Sequence, residues 1–198
     1  MRGRDFDLAL GTDCWHWRGV DAQGQPAQLQ NIPLLSLPVE NAALALQIYA
    51  LLDLPWQTAA LLAGLSAARM TGRLQALQLD YQGRTLQIML DVAHNPHAAS
   101  YLAERLKSHP IQGRRLAVLG VLDDKDLEGV LDCMQEQIAD WAVAALPTAR
   151  SCSATHLQQS LASRQALVAS YATIAQAIEA QCAQAAENDQ IIIFGSFL

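Results

Sequence analysis

Ile88-Met89-Leu90-Asp91-Val92-Ala93-His94-Asn95-Pro96-His97 is the stretch whose reading decides the fold. The apolar run ending at Leu90 reads as a buried strand, and the switch to polar residues at Asp91 marks its carboxyl end. Asn95 is suited to cap a helix, and Pro96 suits the first helical position, where a backbone N–H has no intrahelical partner. Beyond it, Ala99, Leu102, Ala103 and Leu106 recur on one helical face. A strand passing directly into a helix is a βα unit. Such units build parallel sheets, because parallel neighbours need a crossover connection.

The same rhythm continues downstream. Leu116 to Val121 is a second apolar run, followed by Leu127, Val130, Leu131, Met134 and Ile138 at helical spacing. Trp141 to Ala145, Ala166 to Ala169 and Ile191 to Phe194 are further strand candidates with helical segments between them. The fold class read from this alternation is α/β, a mainly parallel, doubly wound sheet with flanking helices.

Upstream the pattern differs. Residues 1 to about 40 carry Gly11, Gly19, Gly24, Pro26, Pro33 and Pro38 between short apolar or aromatic runs such as Cys14-Trp15-His16-Trp17. These are strand and turn signals without enough apolar residues for a complete core. From Asn41 a helix is expected with Leu44, Ile48, Leu51 and Leu52 on one face, broken before Pro55 and resumed up to Gly64. The boundary falls near residues 72 to 80, dividing the chain into 1–75 and 76–198. The first part reads as the end of a domain begun upstream. Ile191-Ile192-Ile193-Phe194 has the character of a central strand yet lies close to the last residue, Leu198, so the second part is expected to be slightly truncated.

Bulk properties narrow the functional classes. The 52% hydrophobic content is ample for a buried core, and the net charge of -6 argues against a broad electrostatic grip on nucleic acid. No apolar stretch is long enough to cross a bilayer, and the start lacks the apolar segment of a signal peptide. Cys14, Cys133, Cys152 and Cys182 are scattered without zinc-ligand spacing and read as free thiols of a cytoplasmic protein. Only two lysines occur. Lys107 follows Leu106 and Lys125 stands between Asp124 and Asp126, so neither sits in a P-loop, which requires Gly-Lys-Ser/Thr. No Gly-x-Gly-x-x-Gly, His-Glu-x-x-His or Gly-x-Ser-x-Gly pattern supports a dehydrogenase, a zinc protease or a serine hydrolase.

In an open parallel sheet, ligands collect beyond the carboxyl ends of the strands. Three strand ends are therefore candidates. At the first, Asp91 can accept hydrogen bonds from a ribose and His94 can donate to a phosphate or carboxylate; the alternative is a helix cap beside an incidental histidine. At the second, Asp123-Asp124-Lys125-Asp126, Lys125 can reach an anion and Asp126 can cap the next helix, or the loop is simply solvated. At the third, Gly195 permits a tight turn and Ser196 offers a hydroxyl, or the segment is an ordinary strand-ending turn. Upstream, Arg73 can clamp a phosphate bidentately or be an exposed linker residue. Asn41 can contact a nucleotide base or cap its own helix. Asp80 to Thr85 reads as a short hairpin with Gly83 in its turn.

Together these stretches resemble the folylpolyglutamate synthase/dihydrofolate synthase branch of the Mur ligase superfamily. The resemblance rests on Asn41-Ala42-Ala43-Leu44-Ala45-Leu46, Gly72-Arg73-Leu74-Gln75, Asp91-Val92-Ala93-His94-Asn95-Pro96-His97, Gly120-Val121-Leu122-Asp123-Asp124-Lys125-Asp126 and Phe194-Gly195-Ser196-Phe197, in the family's order. It implies that residues 1–75 are the incomplete end of a central ATP-binding domain and 76–198 a Rossmann-like C-terminal ligase domain. The activity it implies is ATP-dependent: a folate-precursor carboxylate is phosphorylated and the amine of L-glutamate attacks the acyl phosphate. By the same resemblance Asn41, Arg73 and Asp91 match ATP-contacting positions. His94 matches a residue near the transferring phosphoryl group or the incoming glutamate, while Ser196 and Lys125 fall on the substrate side. ATP and Mg2+ are the implied cofactors, with the metal ligands and the P-loop in sequence preceding Met1. Dihydropteroate or folate is the implied acid substrate, and a cytoplasmic monomer the implied form. Thr71 replaces a proline common before Gly-Arg in the family, and the usual Thr-Val after the last motif is absent. Without the P-loop, the chain alone is expected to be inactive. A peptidoglycan-precursor ligase of the same superfamily and a noncatalytic module retaining the fold are the rival readings.

Overall fold

A computed structural model describes residues 1–35 and 37–196. It divides into two units, Met1–Met70 and Thr71–Leu198, so Gly72 and Arg73 belong to the second.

In the first unit, strands β1 (Asp7–Leu10), β2 (Cys14–Val20) and β3 (Pro26–Pro33) form an antiparallel sheet in chain order. Alternation in β2 turns Trp15 and Trp17 to one face, where they pair across the sheet with Ile32 and Leu29. All four are buried. A bulge falls between Trp15 and Trp17. His16 serves it, accepting the N–H of Asn31 on Nδ1 at 3.2 Å, while Asn31 adopts a positive φ of 55°. Helix α1 (Val39–Leu51) covers the tryptophan face with Ala42, Ala43, Leu46 and Ala50. Its buried Gln47 bonds both backbone groups of Val20, donating to the carbonyl at 2.8 Å and accepting the N–H at 3.3 Å. Trp56 stacks on Trp17 with ring centroids 5.5 Å apart, and helix α2 (Thr58–Ala67) follows.

The helix expected from Asn41 is present, but its face of Leu44, Ile48, Leu51 and Leu52 is not the buried one. Leu44, Ile48 and Leu51 are 49%, 51% and 50% exposed, and Leu52 61%. Both sides of α1 are apolar, so periodicity alone does not choose between them. Small residues at 42, 43 and 50 allow close approach to the bulky tryptophans, and that side wins. Nor does Asn41 cap the helix, because Pro38 is the N-cap and Asn41 lies exposed in the first turn.

The second unit is a six-stranded sheet of order β4-β5-β9-β6-β7-β8, formed by β4 (Gln75–Tyr81), β5 (Arg84–Leu90), β6 (Arg115–Leu119), β7 (Asp140–Ala144), β8 (Val168–Tyr171) and β9 (Gln190–Phe194). Five strands are parallel; β4 pairs antiparallel with β5 through a turn at Gln82 and Gly83, both at positive φ. The hairpin expected at 80–85 is therefore the tip of a longer ladder. Helices α3 (Pro96–Ser108), α4 (Leu127–Met134) and α5 (Ala154–Ala162) pack on one face with Leu102, Leu106, Val130, Leu131, Leu157 and Leu161. Helix α6 (Ile174–Gln184) packs on the other with Ala177 and Cys182. Crossovers of one hand that run in opposite directions across a sheet must lie on opposite faces, which is why α6 returns on the far side to insert β9 between β5 and β6. The fold is α/β with a mostly parallel sheet and flanking helices, as the alternation of strands and helices implies. The strand expected at 166–169 sits two residues later.

Candidate functional site

The ends of β5, β9 and β6 meet around a cavity of about 250 Å3 in the second unit. Its lining includes Thr71 and Gly72 from the strap before β4, Asp91 and Val92 after β5, Gly120 after β6, and Phe194 and Ser196 at the end of β9. Two glycines make this crowding sterically feasible. Gly195 has φ 113°, and a Cβ there would lie 2.3 Å from the Gly120 carbonyl oxygen; a Cβ on Gly120 would meet Ile174 and Leu146 side chains at 2.8 Å. A larger recess of about 470 Å3 lies in the first unit, but its charged walls neutralise one another, Arg4 on Asp5 and Arg18 3.6 Å from Asp7. No candidate residue from the sequence lies there.

Asp91 is 7% exposed. Its backbone N–H donates to the Ile193 carbonyl of β9 at 3.0 Å. Its carboxylate accepts two backbone amides, Ala93 on Oδ1 at 2.8 Å and Leu74 on Oδ2 at 2.9 Å. Burial pushes this carboxyl above its ordinary range, outweighing the opposing pull of the Leu74 and Ala93 amides and the positive charge of Arg73. On the same turn, His94 Nδ1 lies 2.7 Å from the Val92 carbonyl oxygen. A carbonyl only accepts, so Nδ1 carries a proton, and in the neutral ring Nε2 is the acceptor nitrogen.

The helix behind this turn begins as its residues dictate. Asn95 is the N-cap of α3 and accepts the Ala98 N–H at 2.9 Å, with Pro96 in the first turn. The strap opposite is held in an uncommon conformation, with Gly72 at φ 69° and Leu74 at φ 43°. The Gly72 N–H donates to Gln75 Oε1 at 2.9 Å.

The other expected residues are distributed as follows. Ser196 lines the cavity together with Asp91. Lys125 does not line it; its Nζ lies 3.1 Å from Asp124, which Arg150 also reaches at 3.1 Å, while Asp126 caps α4 through Gly129 at 3.0 Å. Asn41 belongs to the first unit. Phe197, the last residue of the fifth motif, lies outside the described residues. Leu146 and Ile174 also line the cavity. Leu146 follows directly on the 141–145 run, so the strand-end rule reached it, but attention to polar residues passed it over.

Among the described residues, no three or more His, Cys, Asp or Glu side chains converge in a way that would hold a metal ion. The described groups therefore do not form a Mg2+ site. Arg73 does place a positive charge near Asp91 at the strand ends, a group of the kind that pairs with anions.

Residues 72–197 match the family model described as Mur ligase, glutamate ligase domain. The dihydrofolate synthase/folylpolyglutamate synthase of Escherichia coli K12 is 36% identical over 196 residues, 99% of this chain and 43% of that protein. The solved structure of E. coli FolC in complex with DHPP and ADP superposes with a TM-score of 0.82 at 35% identity, covering 99% of this chain and 44% of that one. A bifunctional folylpolyglutamate synthase/dihydrofolate synthase with Mn, AMPPNP and L-glutamate bound gives 0.81 at 36%, with the same coverage. The chain thus spans less than half the length of these relatives.

Proposed function

Because the chain belongs to the Mur ligase family and carries its glutamate ligase domain, we propose that it is part of an ATP-dependent ligase joining L-glutamate to dihydropteroate, to folate polyglutamate, or to both through an acyl phosphate. The supporting observation is the shared rim. Asp91, Ser196 and the Thr71–Gly72 strap line one cavity at the carboxyl ends of parallel strands, where α/β sheets bind ligands. The relatives named above are bound to ADP, AMPPNP, Mn and L-glutamate, ligands that such a reaction uses or mimics.

In this reading Arg73 faces the nucleotide phosphates, and Asp91 and Asn41 serve the nucleotide side. His94 acts at the transferring phosphoryl group or the incoming amine, with its ring oriented through Nδ1 by the Val92 carbonyl. Ser196 and Lys125 lie on the glutamate side. Phosphoryl transfer and the tetrahedral intermediate that follows both concentrate negative charge, which fixed donors stabilise without reorganising. ATP would supply the activating phosphoryl group. Mg2+ ligands and the P-loop belong to a part of the ligase outside these 198 residues. Residues 1–70 would then be the closing portion of the ATP-binding domain, working in the cytoplasm.

A chimera tests this. Replacing the matched segment of the E. coli relative with this chain should preserve glutamate-dependent phosphate release. His94→Ala in the chimera should lower the rate by roughly 10²-fold or more. A folded chimera as active with alanine as with histidine would remove His94 from the mechanism.

A further inference from the structure

The Asp91 carboxylate is tied to backbone on both oxygens. Each of its oxygens accepts a backbone amide, one from Leu74, 17 residues earlier, and one from Ala93 on its own turn. Its N–H is fixed to Ile193 of the neighbouring strand. Two independent costs meet at this point. A carboxylate is buried where water would solvate it better, and Leu74 holds a positive φ that a branched side chain rarely adopts. Such features persist only where the surroundings over-determine them. Here the acceptor that fixes Leu74 is Asp91 itself, while Gly72, also at positive φ, sits so close to Val92 that a Cβ would lie 3.0 Å from its Cγ1.

We infer that Asp91 is a positioning residue, whose carboxylate straps residues 71–74 to the 91–94 turn so that Arg73 and His94 are presented from one rigid rim. Arg73 lies between Gly72, held by Gln75, and Leu74, held by Asp91, so its backbone is fixed on both sides. His94 follows Ala93, the second amide on the carboxylate. Asp91 then acts on a bound nucleotide through Arg73 in addition to any direct contact of its own, which rests on the reading of Arg73 as the phosphate-side group.

Asparagine keeps the shape but not the function. It has one acceptor oxygen, so its NH2 must face one of the two amides, donor against donor. Asp91 is the one carboxylate side chain among the described cavity-lining residues. Arg73 is the charge acting on it, and His94 is the other titratable group on the turn.

The test uses the full 198-residue chain, isotopically labelled and followed by NMR from neutral to acidic pH without nucleotide, then with ADP as probe. The Leu74 and Ala93 amides and the Arg73 Nε–H should shift together with one protonation, and should do so equally in His94→Gln. In Asp91→Asn that shared titration should vanish, one of the two amides should exchange roughly tenfold faster, and any Arg73 response to ADP should weaken while the rest of the spectrum is retained. The inference is overturned if Ala93 titrates but Leu74 and Arg73 do not, or if Asp91→Asn leaves the Arg73 response to ADP intact. Should Asp91→Asn not fold, the pH series on the unmodified chain still decides. A wild-type chain whose Arg73 ignores ADP counts against the nucleotide reading instead, and the nucleotide-free series judges the strap separately.

Discussion

Buried Asp91 sets the pH dependence expected of this fold. Its carboxyl is pushed above the ordinary range by burial, so its folded-state pKa lies above the unfolded one. A group shifted this way supports folding below the unfolded value, and that support is lost as pH rises through the folded value. The ionised form of the carboxylate is thus a net cost to folding. Urea midpoints of the wild type and Asp91→Asn, compared across pH, should show the wild type gaining on the variant as pH falls through the raised folded value. A wild type that loses ground on acidification would mean that the two amides and Arg73 outweigh burial. At this scale the sequence was informative wherever the partner is local. Asn95 and Asp126 cap the helices that follow them because the bonded amides are three residues away. The double role of Asp91 was not legible, since its second partner comes from another strand end.

Helix α1 shows what periodicity leaves undecided. Its Leu44, Ile48, Leu51 stripe and its Ala43, Leu46, Ala50 stripe are both apolar, and only packing on Trp15 and Trp17 selects the second. Leu46→Ala should therefore destabilise the first unit by about 2–5 kcal/mol. The double variant Leu44→Lys, Ile48→Glu should stay within about 0.5 kcal/mol of the wild type in this chain. Thermal unfolding followed by tryptophan fluorescence distinguishes the two. Equal losses would return the exposed stripe to the core. Strand β4 was legible only at its turn, because Gln75–Tyr81 alternates polar and apolar residues on a largely exposed edge and carries little burial signal. The buried strands β6, β7 and β9, with their largely apolar runs, were readable almost to the residue.

For the molecule as a whole, the decisive quantity is what the rim contains. It combines a cavity, an arginine on a strapped backbone and an oriented histidine, yet the 198 residues include no P-loop lysine and the described ones no metal cluster. With ATP, Mg2+, L-glutamate and dihydropteroate, phosphate release by this chain alone should stay at background, far below the roughly 1 s⁻¹ of a slow enzyme. Turnover at that rate would show that phosphate binding does not require a P-loop here. The sequence by itself determined the α/β alternation, the caps of α3 and α4, the ends of the buried strands and the family, because these rest on short-range periodicity and on motifs a few residues long. Only the tertiary structure decided which side of α1 is buried, that Lys125 pairs with Asp124 rather than lining the cavity, and that Asp91 bonds Leu74 across the rim. Those outcomes depend on which distant groups compete for the same space and the same hydrogen bonds, and that competition exists only once the chain has folded.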